Sequence, residues 1–271
     1  MTTTSMWRWP TPNGLPPLPL VGGVLALCIV LWLTAPIAEI DIPHFISSIG
    51  KMLHFAGQMF VSPDWGYVPR LLEKMLETIE ITFLATAIAL VISLPLGVLA
   101  ARNATPHPVI YRVTRDLLSM MRALPELVWA LVFVSAVGLG PLPGVMALAF
   151  VTVGFMSKFF AEAIEVVDEK AVEGVRAHGA GWLQVRLFAM LPQALPDFVG
   201  TVMYILDHNL RAAAILGMVG AGGIGYELVM SMRLFQYNHL LLLALSIYLV
   251  VTVLDRSSDY LRSRIINGRR G

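Results

Sequence analysis

The sequence holds 271 residues, 57% hydrophobic and 14% charged, with mean hydropathy +0.73 and a formal net charge of +1. Soluble domains carry about a quarter charged residues, so a lipid-covered chain is the economical reading, and the near-neutral balance offers no basic surface for nucleic acid. Cys28, the single cysteine, excludes an intrachain disulfide and a cysteine-built metal site.

About 20 apolar residues cross a bilayer. Residues 1–18 are proline-rich, carry one charge, Arg8, and read as a tail. The apolar run at 20–37 is too long for a signal-peptide core, and no small-x-small cleavage site follows it closely. It predicts a retained first span at 19–38. Segment 39–76 is mixed, with Pro43, Pro63 and Pro69, and reads as an amphipathic connection outside the membrane. Further spans are expected at 77–101, 117–138, 143–162, 193–216 and 239–255, with residues 256–271 as a second tail. The expected fold is therefore all-α, one membrane domain over 19–255 with about six transmembrane helices.

Lys and Arg placement orients such a chain, because they accumulate on the cytoplasmic side. One set of loops holds Arg8, Arg102, Arg112, Arg115, Lys158, Lys170, Arg176, Arg186, Arg256, Arg262, Arg264, Arg269 and Arg270. The other set holds only Lys51, Arg70, Lys74 and Arg233, while Arg122 and Arg211 lie within spans. Thirteen against four puts both termini and the long loop before the fifth span in the cytoplasm.

That loop, 161–192, has helical periodicity in its first part. Ile164, Val167, Ala171 and Val175 share one face, and Glu162, Glu165, Glu169 and Glu173 another. A helix that is half apolar and self-repelling suits docking into a partner's groove; a solvated acidic face on a connecting helix has the same pattern. Gly179 fits the helix end. Residues 182–190 can form a second short helix, stopped by Pro192.

Polar groups inside spans are costly, roughly 2.5–3.5 kcal/mol each at a helix centre, and should face the bundle or a wet cavity. Arg122 and Glu126 lie in the third expected span, and Asp207, His208, Asn209 and Arg211 in the fifth. Both opposite-charge pairs are spaced i, i+4, so each could neutralise itself on one helix face. Pro125 should bend the third span. These residues are either structural pairs between helices or a polar, partly positive passage for an anion, with Arg122, Glu126, Asn209 and Arg211 as candidates.

No phosphate-binding loop of the Gly-x-x-x-x-Gly-Lys-Ser/Thr type occurs. Gly220-Ala221-Gly222-Gly223-Ile224-Gly225 spells Gly-x-Gly-x-x-Gly, but it follows a span rather than a strand and no acidic residue lies about 20 positions on. It reads instead as a glycine-rich bend allowing close backbone approach. No metal-ligand spacing or catalytic triad is present, so neither enzymatic activity nor a cofactor is expected.

The segment Glu173-Gly174-Val175-Arg176-Ala177-His178-Gly179, followed after nine residues by Ala189-Met190-Leu191-Pro192, resembles the EAA motif of ABC importer permeases. Glu173, Gly179, Leu191 and Pro192 match in register, while Gly174, Val175 and Ala189 depart from it. Three further stretches are similar to the permeases of phosphonate- and phosphite-type importers. They are Arg122-Ala123-Leu124-Pro125-Glu126-Leu127-Val128-Trp129 with Gly138-Leu139-Gly140-Pro141, Arg211-Ala212-Ala213 leading to 219–225, and Arg233-Leu234-Phe235-Gln236-Tyr237. The resemblance runs from about residue 70 to 260. It implies a type I importer fold like that of methionine importers, a homodimer in the inner membrane, two separate ATPase subunits and an external binding protein. It also implies that Glu173, Gly174, Val175, Ala177, Gly179, Leu191 and Pro192 form the ATPase-coupling loop. A permease for methionine or another oxyanion, and a secondary transporter, are the competing readings.

Overall fold

The computed structural model describes residues 18–34, 36, 41–60 and 64–267; the expected tail at 1–18 lies almost wholly outside them, as do residues 268–271. Every regular element among the described residues is helical: α1 (Leu18–Thr34), α2 (Ile42–Met59), α3 (Val68–Ala100), α4 (Pro108–Met121), α5 (Glu126–Val137), α6 (Pro141–Glu165), α7 (Glu169–Ala177), α8 (Trp182–Val185), α9 (Leu191–Leu216), α10 (Gly223–Arg233) and α11 (Tyr237–Asn267). The chain divides into two compact units, residues 1–57 and 58–271.

In the first unit, α1 is an apolar helix of 17 residues, occupying most of the first expected span. Within the expected connection, α2 begins where the Asp41 carboxylate accepts the His44 N–H at 2.9 Å.

In the second unit, four helical segments are long and apolar enough to cross a membrane: 65–100, 141–165, 182–219 and 237–257. The pair α4 and α5, bent by 82°, is long and apolar enough only when the two helices are taken together, as a broken span or a re-entrant loop. The expected single span at 117–138 is thus two helices. Pro125 offers no N–H to the turn before it and disfavours helical geometry at Leu124. Helix α4 closes at Arg122, whose N–H turns back to Ser119 at 3.2 Å, and α5 restarts with Pro125 at its N-cap.

Helix α6 is the most enclosed span and packs against α3, α4, α5 and α9. Its buried face is built of Ala147, Leu148, Val151, Met156, Phe160, Ala161 and Ile164. Small residues on this face let neighbouring backbones approach, which lipid, as apolar as leucine, cannot drive by itself.

Two expectations for 161–192 need correction. The apolar stripe does not run through one helix: α6 continues to Glu165, the chain breaks at 166–168, and α7 starts under a cap in which Asp168 accepts the Lys170 N–H at 2.9 Å. Nor does Pro192 stop a helix. A π-helical turn at Arg186–Met190 carries α8 into α9, with the Leu191 N–H reaching Arg186 O five residues back. Pro192 then sits in the first turn of α9, where a missing N–H costs least.

Candidate functional site

Two regions collect the polar side chains. The first is the turn at 101–107, between α3 and α4. Glu165, at the end of α6, accepts the Arg102 backbone N–H at 2.7 Å and Arg115 Nη2 at 2.9 Å. Arg115 Nε donates to Ala100 O at 3.0 Å, and Asn103 Nδ2 donates to Ile164 O at 2.9 Å. From the other side, Arg186 Nε donates to Ala104 O at 3.0 Å and Nη1 to Trp182 O at 3.1 Å, with the guanidinium 4.5 Å from the Trp182 ring centre. The turn is therefore clamped between the end of α6 and the π turn before α9.

Beside this clamp α7 rests on the bundle through Val172, which is buried, and Val175, which is half-buried; Ala171, expected on the same face as Val175, is exposed. Glu173, Gly174, Ala177 and Gly179 face outward, and Gly179 takes the left-handed geometry (φ 79°) expected past a helix end. Leu191 is half-buried and Pro192 exposed. Glu165 does not join an acidic face but is consumed by the clamp, and Glu162 lies 3.5 Å from Lys158. Glu165, Asn103 and Arg186 were not singled out as a cluster from the sequence. Their partners lie 50 to 82 positions away, and no periodicity connects such residues.

The second region lies within the bundle. Asn209 of α9 donates to Thr86 Oγ1 of α3 at 3.0 Å and accepts from Thr152 Oγ1 of α6 at 3.1 Å. All three are buried, so this one amide ties three spans. Close by, a cavity of about 190 Å³ opens between α5, α6 and α9, lined by Glu126, Thr152, Phe155, Tyr204, His208 and Asn209 among others. Glu126, favourably placed in the first turn of α5, lies 3.1 Å from His208 Nε2.

The expected pairing of Arg122 with Glu126 does not form, because the break at Pro125 puts them on different helices. Arg122 instead donates to Leu118 O at 3.2 Å and lies over the ring of Phe155, 5.5 Å from its centre; Phe155 lines the cavity, and Arg122 itself does not. No carboxylate among the described residues pairs with it. Gly154 makes its room: a Cβ there would stand 2.7 Å from Arg122 Cγ. The pairing of Arg211 with Asp207 does form, through both guanidinium nitrogens, and Asp255 of α11 lies 3.5 Å from the same group. One cation thus faces two carboxylates.

The glycine-rich segment is a bend, as expected. Gly220, Gly222 and Gly223 all have positive φ, and the Gly223 and Ile224 N–H groups donate to Glu77 Oε1 and Thr78 Oγ1 of α3 at 3.0 and 2.8 Å. Next to it, buried Glu227 accepts from Tyr67 Oη at 3.0 Å and from Arg70 at 2.9 and 2.7 Å.

The second unit is thus a helical bundle with one sharply bent helix pair and a buried polar layer. Its fold matches a chain of the MetNI methionine ABC transporter in an inward-facing crystal form, with TM-score 0.65 and 22% identity over 74% of this chain and 99% of that one. Residues 93–267 match the model of the binding-protein-dependent transport system inner membrane component, and the chain belongs to this family of ABC importer permeases. It is 43% identical to the phosphite transport system permease protein PtxC of Stutzerimonas stutzeri over 223 residues, 82% of this chain and 81% of that protein. It is also 43% identical to the phosphate-import permease protein PhnE of Mycolicibacterium smegmatis over 190 residues, 70% of this chain and 36% of that longer protein.

Proposed function

We propose that this permease carries phosphite or a phosphonate into the cytoplasm as a homodimer, driven by two separate ATPase subunits and supplied by an external binding protein. The observation that carries the substrate is the 43% identity with a phosphite permease across most of both chains. Inorganic phosphate is the second reading, favoured by the relative that imports phosphate. In this reading both termini and α7 lie in the cytoplasm, where Glu173, Gly174, Val175, Ala177 and Gly179, with Leu191 and Pro192, seat against the ATPase. ATP binding opens the permease outward and hydrolysis returns it. In the purified complex, binding protein loaded with phosphite or a phosphonate should raise ATP hydrolysis, and binding protein exposed to methionine should not. Stimulation by phosphate alone would select the second reading, and stimulation by none of the phosphorus oxyanions would reject both.

Of the candidates for the anion path, Arg122 has the charge for it: a rigid fork of donors over Phe155, whose ring lines the cavity, with no carboxylate among the described residues paired to it. Arg211 is held between Asp207 and Asp255, Glu126 by His208, and Asn209 by two threonines, so these three act by shaping the passage. Arg122→Gln should cut uptake about tenfold or more, the loss of one charged hydrogen bond of about 1.5–3 kcal/mol, while basal ATP hydrolysis persists. Uptake at the unsubstituted level would remove Arg122 from the path.

A further inference from the structure

A pocket of about 430 Å³ lies at the junction of α3 and α4, lined by Arg102, Thr105, Pro108, Tyr111 and Arg112. It belongs neither to the coupling helix nor to the interior cavity. Arg102 and Arg112 are both exposed, and neither guanidinium lies within ion-pair distance of a carboxylate among the described residues. The nearby arginine that does have a carboxylate, Arg115, is turned away to Glu165. The pocket thus presents two uncompensated cations with a threonine and a tyrosine.

Helix α4, which forms one wall, carries a continuous apolar face away from the bundle. Val109, Val113, Leu117 and Met120 follow one another at steps of four, four and three, and they are 57%, 61%, 44% and 56% exposed. Its opposite face, Thr114, Leu118 and Met121, is buried. A pocket lined by two cations and adjoining an exposed apolar helix face matches a molecule that is itself anionic at one end and apolar along the rest.

We infer that Arg102 and Arg112, with the apolar face of α4, form a binding site for an anionic phospholipid. The phosphate of the headgroup sits in the pocket and the acyl chains lie along Val109, Val113, Leu117 and Met120. Basic pockets beside membrane helices hold anionic headgroups in this way, and juxtamembrane Lys and Arg are drawn to the anionic cytoplasmic leaflet. The inference rests on the proposed topology only for which leaflet supplies the lipid. Because Glu165 binds the Arg102 backbone N–H rather than its side chain, the site can be emptied of charge without cutting the clamp.

The test is lipid binding to the purified full chain in neutral detergent, read by native mass spectrometry, with phosphatidylglycerol and with phosphatidylcholine of the same acyl chains. Phosphatidylglycerol should bind at least tenfold more tightly. Arg102→Gln and Arg112→Gln should each weaken it about fivefold and together about twenty-five-fold, leaving phosphatidylcholine unchanged. Arg233→Gln, at the end of α10, should leave both lipids unchanged. Inorganic phosphate at matched concentration should not displace phosphatidylglycerol; if it does, the pocket is a site for free anions and the lipid assignment fails. Equal retention of the two lipids, or full retention of phosphatidylglycerol by the double variant, overturns the inference. So does a change in oligomeric state without a change in lipid binding, which would mean that a second copy covers α4. None of these readouts involves transport, so failure here leaves the ATPase-stimulation test intact, and the reverse.

Discussion

Gly222→Val is expected to abolish recovery of folded permease. Gly222 has φ 78° and ψ −168°, a region essentially confined to glycine that costs other residues roughly 1–3 kcal/mol. A Cβ there would stand 2.6 Å from Glu77 Oε1 and 3.1 Å from Pro141 N, both fixed by other contacts. Glu77 Oε1 holds the Gly223 N–H at 3.0 Å, and the turn before Pro141 is held by the Gly140 N–H on Gly220 O at 2.9 Å. Moving either neighbour strands buried backbone groups, about 1–3 kcal/mol each. The total, about 3–9 kcal/mol, is a large part of a typical folding free energy of about 5–15 kcal/mol. The measurement is the yield of monodisperse protein after solubilisation. Gly50→Ala, in the exposed interior of α2 with nothing within 4 Å of the added carbon, should keep the full yield. Equal yields from the two variants would show that the bend does not hold α3, α9 and α10 together.

The second large effect is expected at Arg186, and it is read as coupling in the protein that is recovered folded. Its guanidinium is the one contact described above that joins the 101–107 turn to the π turn leading into α9. If α7 is the element the ATPase moves, this clamp carries the movement into α3 and α9 together. Arg186→Met keeps an apolar stem of similar length but removes the guanidinium that lies over Trp182 and both its charged hydrogen bonds, each worth about 1.5–3 kcal/mol. Arg186→Lys restores the charge without the fork that reaches two carbonyls. Solute carried per ATP hydrolysed should fall about tenfold or more in the methionine variant, less in the lysine variant, with hydrolysis itself retained. An unchanged ratio in both would mean that the clamp is structural only.

The contrast between Arg122 and Arg211 shows how a like pair of charges can separate on folding. From the sequence both are arginines inside apolar runs with an acid four positions away. For Arg211 the helix is continuous, so Asp207 and Arg211 meet, and Asp255 arrives from 44 positions later. For Arg122 the helix ends, its acid is taken by His208, and the cation is left over an aromatic ring. Periodicity assumes an unbroken helix, and one proline between the partners cancels it.

The sequence alone determined the all-α membrane fold, the bend at 220–225 and the helix end at Gly179. Each rests on local properties: apolar run length, glycine where backbones must approach or turn left-handed, and proline as a break. Resemblance supplied the family. Tertiary structure alone decided which polar groups are spent on one another: Asn209 on Thr86 and Thr152, Glu165 on Arg102 and Arg115, Glu227 on Tyr67 and Arg70, with Arg122 over the ring of Phe155. A buried polar group must find a partner wherever the packed helices bring one, and that choice depends on distances in space that no spacing along the chain encodes.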